Sequence, residues 1–242
     1  MFSFPPGTAS WASLGNNEAG IGWNMAEALA VSGARKVYIL GRRLHVLEES
    51  AAKYPDIMVP IACDVTSKES LQAAVDQVSE DTGYINLLIA NSGVSGPANH
   101  YDQNLPLPDL RAKLLSAPME DFTQAFHVNV TGAWYTMASF LELLDAGNKR
   151  AVSGEAGAFG APLKEGVKAP SIQSQVVFTS SLAGFSRAHW TPAPYGGSKA
   201  AITHLMKHAA TNLAPYRIRA NALAPGRRWL TVPSCLFLFV FL

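Results

Sequence analysis

Two apolar rhythms alternate along the chain. Near-continuous runs occupy 36–40, 57–63, 84–90, 175–181 and 218–224, each bounded by turn residues, and read as buried strands. Between them apolar residues return every third or fourth position. Met25, Ala28 and Leu29 predict a helix that closes at Gly33; Leu44, Leu47 and Ala51 predict one that ends at Pro55. Leu71, Ala74, Val75 and Val78 follow Thr66-Ser67-Lys68-Glu69, which has the form of a capping box. Phe122, Phe126, Val130, Trp134, Met137 and Leu141 predict a long helix from Glu120 to about Leu144, and Ala201, Leu205, Ala209 and Leu213 predict another, stopped by Pro215. Strands apolar throughout, separated by helices, are the mark of a parallel sheet covered on both faces. The expected fold is α/β, a doubly wound parallel sheet in a single domain spanning 1–242. Residues 94–118 are polar and proline-rich and read as a long loop. Residues 147–175, rich in glycine, alanine and lysine without periodicity, read as a mobile insertion.

Composition narrows the class of partner. In 242 residues, 19 basic and 18 acidic side chains leave a net charge of +1, so no electrostatic footprint for nucleic acid or an anionic membrane is expected. Small-molecule partners fit better. Cys63 and Cys235 are too few and too far apart for a disulfide framework or a zinc site, which suits a reducing, cytoplasmic setting. The start, Met1-Phe2-Ser3-Phe4-Pro5-Pro6, lacks the basic flank and apolar core of a secretory signal. The apolar run at 236–242 falls short of the roughly 20 residues a membrane-spanning helix needs.

The chemistry gathers where strands end. Gly20-Ile21-Gly22 opens the first helix, a place where backbone N–H groups and the positive end of the helix dipole can meet a phosphate. Arg42 and Arg43 follow the strand at 36–40, at the position that reads the adenosine ribose in dinucleotide folds, and no acidic residue ends that strand. Two guanidiniums there favour a 2′-phosphate, hence NADP over NAD. Asp64-Val65 closes the next strand, and Asn91-Ser92-Gly93 the one after it. Asn129 and Gly132 lie inside the long helical pattern although neither favours helix, which predicts a local break exposing a carbonyl near the site, with a satisfied core amide as the other reading of Asn129. Tyr195 and Lys199 stand four apart at the start of the last helix, on one face, so the ammonium can lie near the phenol and favour phenolate. His204 and His208 share that spacing, but no third ligand accompanies them and no metal site is expected.

In this order, Gly20-Ile21-Gly22, Asp64-Val65, Asn91-Ser92-Gly93, Asn129-Val130-Thr131-Gly132, Ser181-Leu182-Ala183-Gly184, Tyr195 with Lys199, and Asn221 through Pro225-Gly226 resemble the short-chain dehydrogenase/reductase family over roughly 15–228. The chain looks most like fungal members similar to 3-oxoacyl reductases. The resemblance implies a Rossmann-like fold and an NADP-dependent oxidoreductase that moves a hydride between NADPH and a ketone or secondary alcohol. It implies a catalytic set of Ser181, Tyr195, Lys199 and Asn129. Tyr195 would give the proton to the carbonyl oxygen, Ser181 would hydrogen-bond that oxygen, Lys199 would bind the nicotinamide ribose, and Asn129 would hold a relay water. Cofactor contacts would come from Gly20, Ile21, Gly22, Arg42, Arg43, Asp64, Val65, Asn91, Gly93, Pro225 and Gly226, with Asp64 at the adenine. Self-association stays open. The chain departs from the family's pattern at both ends. The stretch 7–14, where a valine- and isoleucine-rich opening strand belongs, is poor in β-branched residues, and Gly15-Asn16 replaces the usual Thr-Gly. After Pro225-Gly226 the tail 227–242 replaces a substrate-covering segment. Both ends look substituted, as a misplaced start and a read-through intron would produce. The alternative expectation is therefore a truncated or mis-spliced nucleotide-binding remnant without turnover.

Overall fold

The computed structural model describes residues 9–13, 20–153 and 174–226. Six strands, β1 (Ala9–Ser13), β2 (Lys36–Gly41), β3 (Met58–Ala62), β4 (Leu87–Ala90), β5 (Gln175–Thr179) and β6 (Arg219–Leu223), form one sheet in the order β3-β2-β1-β4-β5-β6. Every pairing is parallel. The chain starts in the middle of the sheet, winds outward to β3, then crosses to β4 and winds outward the other way. The reversal lies between β1 and β4, where doubly wound sheets bind ligands.

Alternation along the strands sorts the core into two layers. Tyr38, Leu40, Leu88, Ala90, Val176 and Phe178 face one side and pack against α3 (Lys68–Asp81), α6 (Ala133–Ser139), α7 (Leu141–Ser153) and α8 (Ala193–Asn212). Val37, Ile39, Leu87, Ile89 and Val177 face the other and pack against α1 (Ile21–Val31) and α2 (Leu44–Ala51). Such strands must be apolar on both faces, which is why they lack a polar alternate. A phenol is admitted to this layer with its partner: the Tyr38 hydroxyl donates to Asp81 Oδ2 at 2.7 Å, and Thr82 Oγ1 lies 3.1 Å from the same oxygen. Burial of the phenol pushes its pKa up, the proton-sharing carboxylate adding to the effect.

Several local expectations are met and several corrected. Gly33, at φ 91°, ends α1 in the left-handed region that a side chain would strain. The cap of α3 is Ser67 rather than Thr66: its Oγ accepts from the Ser70 N–H at 3.1 Å, which leaves Thr66 free to serve Asp64. The stretch 94–118 is not all loop, since α4 (Leu107–Leu115) forms within it. None of its residues is buried, so no apolar stripe advertised it. The long helix is broken as Asn129 and Gly132 predicted. α5 (Met119–Phe126) passes into a π-helical turn, His127–Gly132, before α6 begins, and α7 continues to Ser153, beyond the Leu144 end. The first residues assigned to the insertion are thus helical, while 154–173 lie outside the described residues. The opening strand is present despite its composition. β1 pairs with β2 over five positions and with β4 over three, so main-chain pairing on both edges supplies what side-chain propensity does not. Gly15-Asn16 and the tail 227–242 lie outside the described residues.

Candidate active site

Four segments converge at the carboxyl edge of the sheet. α8 brings Tyr195 and Lys199, the π-helical turn brings Asn129, the end of β4 brings Gly93 and Val94, and the end of β5 brings Thr179, Ser180 and Ser181. Pro192 at the N-cap and Pro194 in the first turn fix where α8 begins, and so place the tyrosine one turn before the lysine.

Lys199 is 4% exposed, and its Nζ donates to the Thr179 carbonyl at 2.6 Å. The same Nζ lies 5.8 Å from the centre of the Tyr195 ring, which is itself half-buried. Burial pushes the Lys199 pKa down to about 8, because an ammonium taken out of water is disfavoured. The expected pairing on one helix face is therefore met, with the lysine as the buried member.

Asn129 is 2% exposed and hydrogen-bonded through both ends of its amide. Its Oδ1 accepts from the Val94 N–H at 2.8 Å, and its Nδ2 donates to the Val94 carbonyl at 2.8 Å and to Ser198 Oγ at 2.9 Å. The side chain copies a strand's main chain and holds the loop after β4. A Cβ built on Gly93 would lie 3.0 Å from Asn129 Oδ1 and 3.5 Å from Lys199 Nζ, so the missing side chain keeps this junction open. Gly132 permits a second close approach: a Cβ there would lie 3.1 Å from Val65 Cγ2 and 3.2 Å from its carbonyl.

The two serines after β5 differ. Ser180 is 1% exposed; its Oγ lies 3.1 Å from the Lys199 carbonyl and 2.5 Å from Thr203 Oγ1. Ser181 is only half-buried. Its Oγ accepts from the Ala183 N–H at 3.1 Å and donates to the Pro225 carbonyl at 3.4 Å, while the Leu182 N–H donates to that carbonyl at 3.0 Å. Pro225 and Gly226 thus abut the turn that follows Ser181. Thr179 Oγ1 donates to Asn91 Oδ1 at 3.0 Å, tying the ends of β4 and β5.

A cleft runs from this junction along the ends of β2 and β3, bordered by Arg42, Asp64, Val65, Gly93, Gln124 and Val128. Asp64 Oδ1 accepts from the Thr66 hydroxyl at 2.6 Å and from its N–H at 2.9 Å. Those two hydrogen bonds hold its pKa low, with smaller help from the Arg42 and His127 charges. Of the two arginines, Arg42 borders the cleft; Arg43 is the N-cap residue of α2 and is not among the lining residues. Gly20 caps α1, and Ile21 and Gly22 form its first turn. Sequence reasoning missed Ser198 and the Val94 and Thr179 carbonyls. A helical serine three places after Tyr195 is a recognisable main-chain acceptor's partner, but its contact with Asn129 spans 69 residues and leaves no local signal. Among the described residues no cluster of acidic, histidine or cysteine side chains could hold a metal, and no helix is long and apolar enough to cross a membrane.

A family model described as enoyl-(acyl carrier protein) reductase matches residues 16–158, and one described as short chain dehydrogenase matches residues 167–228. Over 203 residues the chain is 58% identical to short-chain dehydrogenase/reductase SAT3 of Stachybotrys chartarum, covering 84% of this chain and 73% of that protein. It is 41% identical over 226 residues to short-chain dehydrogenase/reductase VdtF of Byssochlamys spectabilis, covering 90% of this chain and 73% of that one. Among solved structures, NAD+-bound xylitol dehydrogenase is similar with a TM-score of 0.68 at 28% identity, covering 91% of this chain and 70% of that chain.

Proposed function

The chain belongs to the short-chain dehydrogenase/reductase family and is an oxidoreductase of that kind, and from this we propose that it uses NADP to interconvert a ketone and a secondary alcohol. The observation that carries the proposal is the buried Lys199 ammonium 5.8 Å from the Tyr195 ring, beside a cleft at the strand ends. That cleft suits a dinucleotide: Gly93 leaves room at the junction, and Arg42 and Asp64 border the far end. A nicotinamide cofactor, when bound, supplies the hydride.

The chain's own residues then handle the proton and the charge. Tyr195 gives its hydroxyl proton to the carbonyl oxygen as that oxygen gains negative charge. Ser181, the half-buried serine of the pair, donates a hydrogen bond to the same oxygen. For this its hydroxyl leaves the long contact with Pro225. Lys199 keeps positive charge beside the phenol and, held by the Thr179 carbonyl, stabilises the oxygen left once the proton has gone. Asn129, whose two amide hydrogens are already used, holds the relay water through an acceptor oxygen. Arg42, exposed at the cleft edge, pairs with the 2′-phosphate and favours NADP over NAD. The NAD+ of the xylitol dehydrogenase is that protein's own, and the arginine is what separates the two cofactors here. Its name also supports a carbonyl and alcohol pair as the substrate class. Gly20, Ile21, Gly22, Asp64, Val65, Asn91, Pro225 and Gly226 complete the proposed cofactor contacts.

The test is Tyr195→Phe. NADPH oxidation with a panel of ketones should fall by at least a thousandfold while NADPH binding, followed by its fluorescence, stays within threefold of the parent. Equal rates in variant and parent would defeat the assignment. Binding without turnover in the parent would leave a nucleotide-binding protein.

A further inference from the structure

We infer that Ser198 is a positioning residue, whose hydroxyl couples Asn129 to the helical turn that carries Tyr195 and Lys199. The inference deepens the proposed reading of those two residues and rests on it. Ser198 lies between them in sequence, is 0% exposed, and belongs to no role assigned above. Its Oγ donates to the Tyr195 carbonyl at 2.8 Å and accepts from Asn129 Nδ2 at 2.9 Å.

The direction of this chain of hydrogen bonds is fixed. A serine hydroxyl has one proton. The Tyr195 carbonyl can only accept and the Asn129 amide N–H can only donate, so the order Asn129 to Ser198 to Tyr195 admits no reversal. Asn129 is locked equally firmly, because Val94 takes its other N–H and donates to its oxygen. A flipped amide would set two donors and then two acceptors face to face. The result is a rigid tie from the loop after β4, through the π-helical turn, to the first turn of α8. It joins three segments at the carboxyl edge through one small oxygen.

Removing that oxygen leaves an amide N–H without a partner in a place water does not reach, and the structure must yield to satisfy it. Asn129 can yield by rotating, which frees the Val94 loop, or α8 can yield by shifting, which moves Tyr195 relative to Lys199. Either displaces the reacting pair by part of an ångström, a scale at which turnover falls steeply. Arg42 and Asp64, at the far end of the cleft, lie away from this junction and should retain most of the cofactor affinity.

The experiment compares the parent with Ser198→Ala, Asn129→Ala and the double variant. Ser198→Ala should lower kcat by roughly ten- to hundredfold, with NADPH affinity within twofold of the parent. The double variant should lose no more than Asn129→Ala alone, within twofold, because the serine acts through the asparagine. A second measurement needs no turnover: the Asn129 side-chain amide protons, assigned by NMR, should exchange slowly in the parent and at least tenfold faster in Ser198→Ala. Unchanged exchange overturns the coupling. Faster exchange with unchanged kcat, or losses that multiply in the double variant, overturns the positioning role. A parent that turns over no ketone defeats the enzyme reading, while the exchange measurement still decides the coupling. Should Ser198→Ala not fold, Ser198→Cys, similar in size but a poor acceptor, carries the same outcomes.

Discussion

Replacing Gly184 by alanine would test how tightly the serine turn is seated on the helix of Tyr195 and Lys199. A Cβ at this position would lie 2.8 Å from the Ala200 nitrogen, 2.8 Å from the Lys199 carbonyl carbon and 3.0 Å from the Lys199 oxygen. These are main-chain atoms of α8, so no flexible side chain can swing aside. Reaching an ordinary contact of 3.4 Å requires the 182–184 turn and the helix to part by about 0.6 Å. Overpacking of this kind costs about 1–3 kcal/mol, or about 2–12 °C in Tm for a domain of this size. The same parting moves Ser181 away from Tyr195, and misplacement on this scale lowers turnover by about tenfold to a hundredfold. Thermal unfolding followed by circular dichroism gives the first quantity, and steady-state NADPH oxidation the second. A variant within 1 °C of the parent's Tm and within twofold of its kcat/KM would refute the close seating. A variant that loses Tm alone would show that the turn gives way in a direction that leaves the reacting groups in place.

Two further substitutions separate charge from packing. Burial depresses Lys199 to about 8, so between that pH and the ordinary lysine range near 10.5 the unfolded chain binds more protons than the folded one. Stability therefore rises with pH across the window, and the full penalty, about 3 kcal/mol, applies below it. Lys199→Met lacks this dependence: the Tm of the parent relative to the variant should climb by several degrees from pH 7.5 to 10, and parallel curves would refute it. Arg42→Ala should weaken NADPH binding about ten- to hundredfold and leave NADH binding within twofold, as loss of one charge-assisted contact to the 2′-phosphate implies; equal effects on both cofactors would remove Arg42 from phosphate recognition.

The parts of this molecule that could be read in sequence are those specified by their neighbours along the chain. Val37 to Leu40 and Val176 to Phe178 are apolar on successive residues because both sheet faces are covered, and that pattern survives with no structure in hand. Asn129 and Gly132 announced a break because each is a poor choice within a helix, and the break is a π-helical turn at that place. Features decided by distant partners were hidden. β1 forms from residues of little strand preference because β2 and β4 offer it two edges at once. α4 forms with nothing buried, so it carries no stripe to detect. Thr66 has the spacing of a helix cap, yet Asp64 competes for its hydroxyl and Ser67 takes the cap instead. The bond from Ser198 to Asn129 joins residues whose separation only the folded sheet removes.

The π-helical turn at His127–Gly132 sets a phase boundary within what would otherwise be one rod. Before it, α5 meets α8, with Phe126 against Gly197; after it, α6 turns Ala133 and Met137 toward the sheet. Each residue added to or taken from a helix rotates everything beyond it by about 100°. Forcing all of these residues into uninterrupted α-helix would swing one of those two faces out of its seat, whereas deleting a single position would remove the extra residue and the bulge together and leave both faces in place. Residue number and helix type are thus coupled in this stretch, and the insertion of one further residue should be far less tolerated here than in the 94–106 loop that precedes α4.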